Sequence, residues 1–421
     1  MSHLGLICPE LSGHLNPMTT LGRELQRRGH RVTVVARPDA RRKAESAGLG
    51  FAVIGEREFP EGAMQATAAE LGTLSGLRAV QFTAELLRRG AAAILCDAPE
   101  VVSGEKIDAL LVDQVAQAGG TVADRLGVPW VTICNALAMN PDPHLPPGVL
   151  PWPYARGPLA RARNALGNAL LDWLARPVLN EINGHRAQHR LPPLVGGISV
   201  GSRLAQIAQQ PAFFEFPRHA PVENFHYTGP WHHAGSHEEI PFPWEKLDGR
   251  PLIYASMGTL QNRQQAIFET IAAACAGLHA QLVISLGSRD QDAAAVSRTF
   301  AGTPIVVSIA PQLALLQRAA LSITHAGLNT ALESLSYGVP MVAIPITNDQ
   351  PGVASRLAWL GAAEVVPPAQ LTAPRLRSAL ELVLREPRYR EAAQRYRAEI
   401  RRAEGLRQAA DIVEEAFKRP T

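Results

Sequence analysis

The chain has 421 residues, 46% hydrophobic and 19% charged, and a net charge of +3; this exceeds what one core serves, so two domains of about 200 residues each are expected. So small a positive excess excludes nucleic-acid binding driven by a concentrated basic face. The well-separated Cys8, Cys96, Cys134 and Cys275 have neither metal-ligand nor redox spacing and read as buried free thiols in a reducing compartment.

In chain order, residues 1–9 lack the charged n-region and the length of a secretory leader, so none is expected. No window reaches the roughly 18 apolar residues of a membrane span. A soluble, cytoplasmic protein is expected, with only peripheral membrane contact left open. Residues 4–8 read as a short strand, and the following loop carries Ser12-Gly13-His14. Asn16 then reads as the N-cap and Pro17 as the first position of a helix that closes at Gly29, with Leu21 and Leu25 on its buried face. Residues 31–36 form the next strand, and the basic run 37–43 reads as a solvated helix start. Strands over 108–112 and 130–133 flank a helix over 119–126. Strands alternating with helices mean a parallel sheet wound on both faces.

Residues 135–158 are proline-rich and lack a period, and 159–189 read as a helix with Leu166, Leu170, Leu171 and Leu174 on one apolar face. Such insertions shape pockets more than cores. Residues 232–251 are short of strand and helix signals and read as a linker. A second alternation follows: strands over 252–256, 281–286, 305–308, 321–324 and 341–346, with a helix over 264–277. The expected division is an N-terminal α/β domain over 1–231, the linker 232–251, a C-terminal α/β domain over 252–404, and a last helix, 405–421, packing back across the junction.

The most informative segment is THAGLNTALESLSYGVPMVAIPITNDQ, residues 324–350. A strand ends at His325, Ala326-Gly327 turns the chain, and a helix starts near Leu328 and stops at Gly338. A helix N-terminus directly after a parallel strand offers free N–H groups and a positive dipole end, an anion site. Gly327 lets a phosphate approach the backbone. His325, Asn329 and Thr330 add donors on that rim, and Glu333 lies one turn further in, where it suits a ribose diol. Asp349 and Gln350 follow the next strand and meet the same carboxyl edge, where an acid and an amide together suit sugar hydroxyls. A buried β–α–β unit accounts for Gly338 and Pro340, but not for six polar side chains gathered at one sheet edge.

These residues resemble the donor signature of the family 1 glycosyltransferases. Gln312 after Pro311, His325, Gly327, Asn329, Thr330, Glu333, Gly338-Val339-Pro340 and Asp349-Gln350 stand in its register, and Ser256-Met257-Gly258-Thr259 matches the strand end that touches the diphosphate. The sequence looks most similar to bacterial macrolide- and zeaxanthin-glucosyltransferase-like members. The resemblance implies a GT-B fold, two doubly wound parallel-sheet (Rossmann-like) α/β domains facing a central cleft. It also implies a UDP-sugar donor, held by Ser256, Gly258, Thr259, Ile309, Gln312, His325, Gly327, Leu328, Asn329, Thr330, Glu333, Asp349 and Gln350. Ile309 stands where many relatives carry a tryptophan that stacks on uracil, which leaves a thymidine diphosphate donor open; Leu328 replaces a plant-type tryptophan.

Transfer to an alcohol needs a base, and histidine held by a carboxylate is the usual choice. His14 and Asp113, both at the carboxyl edge of the N-terminal sheet, match the family's catalytic histidine and its orienting aspartate. The resemblance implies inverting, metal-independent O-transfer of a hexose of the glucose type, with no cofactor beyond the donor. Asp290-Gln291-Asp292 spells a D-x-D but reads as surface charge. A hydrophobic hydroxylated acceptor is expected against Leu11, Leu137, Met139 and Trp152, with Leu145, Leu150 and Trp173 adding apolar surface. The remaining histidines, His232, His233 and His237 included, read as bystanders, and the chain as a monomer or weak dimer. A nucleotide-sugar 2-epimerase, or a non-catalytic sugar-nucleotide binder, would share this architecture.

Overall fold

The computed structural model describes residues 1–71, 76–196, 201–231, 240–258, 265–289 and 291–418. The first half runs β1 (His3–Ile7), α1 (Ser12–Arg27), β2 (Arg31–Ala36), α2 (Arg41–Ser46), β3 (Gly50–Val53), α3 (Ala63–Leu71), α4 (Gly76–Gly104), β4 (Ala109–Asp113), α5 (Ala118–Leu126), β5 (Trp130–Cys134), α6 (Pro158–Gln188), β6 (Gln206–Ala208) and β7 (Phe225–Tyr227). Its seven strands lie in the order β3-β2-β1-β4-β5-β6-β7, all parallel. Every residue of β1 and β4 is buried, as befits strands covered by helices on both faces.

The second half repeats the plan with β8 (Leu252–Ser256), α7 (Gln265–Cys275), β9 (Gln281–Ser285), α8 (Ala293–Ser297), β10 (Ile305–Val307), α9 (Gln312–Leu316), β11 (Ala319–Thr324), α10 (Leu328–Tyr337), β12 (Met341–Ala343), α11 (Gln350–Trp359) and β13 (Ala363–Val365). The order is β10-β9-β8-β11-β12-β13, again parallel throughout. In each sheet the chain reverses its winding direction between the first and fourth strands: β1 beside β4, and β8 beside β11. That reversal opens a crevice at the carboxyl edge where ligands of such sheets bind.

Helices α12 (Ala373–Arg385) and α13 (Pro387–Arg402) finish the second domain, and α14 (Gly405–Lys418) returns to the first. Ala409, Ala410, Val413 and Ala416 join the core formed by Leu21 and Leu25 of α1, while Arg28 holds Asp411 at 2.6 Å and Glu414 at 3.1 Å. A second tie is fully buried. Arg356 of α11 meets Glu215 of the first domain at 2.5 Å, the side chains 3% and 4% exposed, with the guanidinium also over the Phe216 ring. Gly352 of α11 lies against the Gly148 backbone so closely that no side chain fits between them.

Three local expectations change. The first helix starts at Ser12, with Leu11 rather than Asn16 at its cap and Pro17 inside it. Pro17 has no N–H to give Gly13, four residues back, and that carbonyl instead serves the second domain, as described below. Helix α6 does not bury one face carrying Leu166, Leu170, Leu171 and Leu174: Leu166 and Leu170 are 73% and 51% exposed, whereas Leu171 and Leu174 face a cleft. Cys96 is exposed; Cys8, Cys134 and Cys275 are buried, and all four are free thiols. Residues 232–239 of the expected linker, with His232, His233 and His237, lie outside the described residues, as do Thr259 and Asp290. Asp292 accepts from the Ala294 and Ala295 N–H groups and caps α8, which gives this carboxylate a structural task.

Candidate active site

One cleft of about 2320 Å³ runs between the two carboxyl edges and is lined from both domains. On the first sheet, Asp113 ends β4 and is fully buried, and His14 stands in the first turn of α1, its side chain 13% exposed. His14 Nδ1 lies 2.8 Å from Asp113 Oδ2. A carboxylate only accepts, so Nδ1 carries the proton and the Nε2 lone pair is left as the basic site. Asp113 is itself fixed: Asn135 Nδ2 donates to Oδ2 at 2.7 Å and the Val115 N–H donates to Oδ1 at 2.8 Å. Burial alone would lower the His14 pKa. The Asp113 carboxylate, with Asp349 and Glu10 further off, more than offsets this and raises it above the usual histidine value.

On the second sheet, β11 delivers His325 and the chain then kinks through Ala326, whose φ is 62°. This left-handed residue aims the following helix; an alanine there stores strain that its complete burial holds in place. Gly327 caps α10 with no side-chain bond to the first turn, so the leading N–H groups are open toward the cleft. The His325 ring is wedged between Gly258 and Gly327. A Cβ at residue 258 would stand 2.7 Å from the ring, and the φ of 73° there also demands glycine. Desolvation drives His325 down to about 4, the Ser256 backbone opposing, so it is neutral at pH 7. Its Nδ1 is buried without a partner, a position that a bound ligand would satisfy.

Further along the cleft, Tyr254 donates to Gln312 Oε1 at 3.0 Å. Gln312 Nε2 in turn donates to Thr330 Oγ1 and to the Glu333 carboxylate. Burial raises Glu333 to about 7, Gln312 opposing. Ile309 and Ser256 line the same end. Leu328 also borders it, but its side chain is 4% exposed and belongs to a core cluster, so only its backbone is offered. Asp349 Oδ2 accepts from the Leu137 N–H at 3.0 Å; Gln350 Oε1 accepts from the Ile346 and Thr347 N–H groups. Burial raises the Asp349 pKa against the influence of Leu137 and His14.

The halves are joined by hydrogen bonds that no local pattern announces. Asn329 Nδ2 donates to the Gly13 carbonyl at 2.9 Å, the acceptor that Pro17 leaves free. Asn329 Oδ1 accepts from Gln209 Nε2 at 2.7 Å, and Gln209 also donates to the Asn135 carbonyl. A ring of contacts thus runs His14, Asp113, Asn135, Gln209, Asn329 and Gly13, back to the residue before His14.

The chain matches the family model described as UDP-glucoronosyl and UDP-glucosyl transferase over residues 161–401. It is 31% identical to a zeaxanthin glucosyltransferase of Pantoea ananas, covering 99% of this chain and 96% of that protein. The chain belongs to the UDP-glucoronosyl and UDP-glucosyl transferase family. It is a family 1 glycosyltransferase. A zeaxanthin glucosyltransferase of Pseudescherichia vulneris is 33% identical over 86% of this chain and 85% of its own. Among solved structures, the glycotransferase of kitacinnamycin superposes with a TM-score of 0.76 at 23% identity, covering 99% of both chains. The glycosyltransferase VinC, solved with DTDP, superposes at 0.70 and 20% identity, covering 99% of this chain and 100% of its own. These likenesses fix the fold as GT-B.

In this glycosyltransferase the remaining expected residues separate. Leu11, Met139 and Leu145 line the cleft. Leu137 does too, but its side chain is 1% exposed and packs with Ala326 and Leu328 of the other domain. Trp152 turns away: it packs on Gly167, lies under Arg163, and its carbonyl accepts from Ser355 Oγ. Trp173 is 55% exposed on the outer side of α6. The basic run is more than a solvated helix start, because Arg37 pairs with Glu10 at 2.8 Å, lies over Phe59 and borders the cleft with Arg41 and Arg42. Asn135 and Gln209 were not among the expected site residues. Asn135 directly follows the apolar strand 130–134, a position that marks carboxyl-edge residues just as it marks Asp113. For Gln209 the local sequence held no such signal.

Proposed function

We propose that this glycosyltransferase moves a glucose-type hexose from UDP to a hydroxyl of a hydrophobic small molecule, by one inverting displacement without a metal ion. The observation that carries the reading is a base-competent His14–Asp113 pair facing the open N-terminus of α10 across one cleft. His14 Nε2 takes the acceptor O–H proton as that oxygen bonds to the anomeric carbon. The bond from that carbon to the β-phosphate oxygen breaks on the opposite side, and the nucleoside diphosphate leaves. Its developing charge meets the α10 dipole and the leading N–H groups, and one displacement inverts the anomeric centre. Asp349 and Gln350 border the sugar, and Glu333, held by Gln312, suits the ribose. The zeaxanthin glucosyltransferase relatives and the apolar walls of the first-domain half favour a greasy alcohol or phenol as acceptor.

Thymidine diphosphate is a second reading of the donor, favoured by Ile309 and by the DTDP held in VinC. Transfer assays with UDP-glucose and TDP-glucose in parallel, over a panel of carotenoid, polyphenol and macrolide alcohols with and without EDTA, test the scheme. Glucoside of inverted configuration by NMR, undiminished by EDTA, is expected. A retained anomer, loss of activity with EDTA, or no product from any acceptor would sink it.

A further inference from the structure

Helix α6 is apolar on two opposite faces. Asn168, Leu171, Ala175 and Val178 point inward and line the cleft. On the far side, Leu159, Leu166, Leu170 and Trp173 are 87%, 73%, 51% and 55% exposed. Their spacing, seven, four and three residues, keeps them on one stripe, roughly 20 Å long at the helical rise. Soluble proteins rarely leave so continuous an apolar stripe open without a use for it. Ala162 and Ala169 fill the gaps between the large side chains, Arg176 is exposed beside Trp173, and Arg156 is exposed just before the helix. Neither carboxylate of the helix shares this surface: Asp172 lines the cleft and Glu181 is paired with Arg88 at 2.6 Å.

An apolar stripe with a tryptophan, bordered by arginines and free of acids, is the pattern of a helix that lies in a lipid interface. We propose that the outward face of α6 docks this protein on an anionic phospholipid bilayer. Leu159, Leu166, Leu170 and Trp173 enter the acyl boundary while Arg156 and Arg176 meet the phosphates. The same helix is a wall of the cleft, and Leu87 on neighbouring α4, 47% exposed, borders that cleft as well. Docking therefore leaves the cleft one helix diameter, roughly 10 Å, from the bilayer in which a lipophilic molecule is concentrated.

The surface is independent of the reaction proposed above, and its test needs no catalysis. The full chain is sedimented with vesicles of phosphatidylcholine alone and of equal parts phosphatidylcholine and phosphatidylglycerol. Wild type should pellet with the anionic vesicles, and L166E/L170E should lower the bound fraction about tenfold. R156E/R176E should weaken binding to anionic vesicles and leave pure phosphatidylcholine unaffected, with added salt reproducing that loss in the wild type. All these side chains are on the surface, so thermal unfolding of the variants should match wild type, and the arginine pair gives an independent reading should L166E/L170E not fold. Wild type left in the supernatant with anionic vesicles, or both variants pelleting like wild type, would overturn the proposal. So would a wild-type dimer in analytical ultracentrifugation that L166E/L170E converts to monomer, because a second copy would then cover the stripe.

Discussion

Each of the two sheets carries a histidine at the crevice between its first and fourth strands, and the two histidines stand in opposite states. His14 has the fully buried Asp113 carboxylate at 2.8 Å and is raised; His325 has two glycines against its ring and falls to about 4. Topology provides the place, and the neighbour decides whether the ring is held ready for a proton or kept neutral. A carboxylate favours the imidazolium, whereas desolvation without a counter-charge forbids it. In the mechanism proposed above, the first half of the cleft handles a proton and the second a negative charge.

The sharpest way to break this division is at the base. His14→Ala should lower the transfer rate about 1000-fold, while donor affinity by calorimetry stays near wild type; equal loss of both would merge the two roles. Asp113→Asn should cost about 100-fold in kcat and also move the pH profile. As the proposed base His14 works in its neutral form, so activity should climb as pH rises through its folded pKa, which Asp113 holds high. Without that carboxylate burial dominates, the pKa falls, and the rising limb of kcat/KM against pH should shift to lower pH as the plateau drops. An unmoved limb would mean that another group is the base.

Pro17→Ala tests the link between the halves. The restored N–H would claim the Gly13 carbonyl and release Asn329, so kcat should fall on the order of threefold, about 0.7 kcal/mol. Meanwhile Tm should hold or rise, since a proline leaves a helix interior. A drop in Tm with unchanged kcat would count against the link. The smallest effect is a predicted constancy: with His325 at about 4, the NMR signal of its ring Cε1–H should stay fixed between about pH 5.5 and 8, and a histidine-like inflection of that signal there would refute its neutral role.

The donor edge was legible because its residues are consecutive. Strand, turn, helix and next strand follow one another from Thr324 to Gln350, and each polar side chain falls at the carboxyl edge by local rules alone. His14 and Asp113 were placed by the same reasoning. The start of α1 was misplaced because Asn16-Pro17 is a good local helix opening. The true start is a turn earlier, and the carbonyl that Pro17 orphans finds Asn329, 316 residues away. Asn135, Gln209 and the inward turn of Leu137 toward Leu328 are long-range matters of the same kind. On α6, the run of leucines announces an apolar helix, but period alone cannot assign one face to the cleft and the opposite one to solvent.

The return of α14 has its own consequence. The chain crosses between domains once after Gly229 and again between α13 and α14, where Gly405 presses against the Thr228 carbonyl. Gly405 also lies against Gly229, so the segments that leave and re-enter the first domain meet at one place. They also set a rule for chimeras. A donor half grafted from a relative needs junctions at both crossings, because a single cut would leave α1 packed against a foreign terminal helix, with Arg28 facing whatever replaces Asp411 and Glu414.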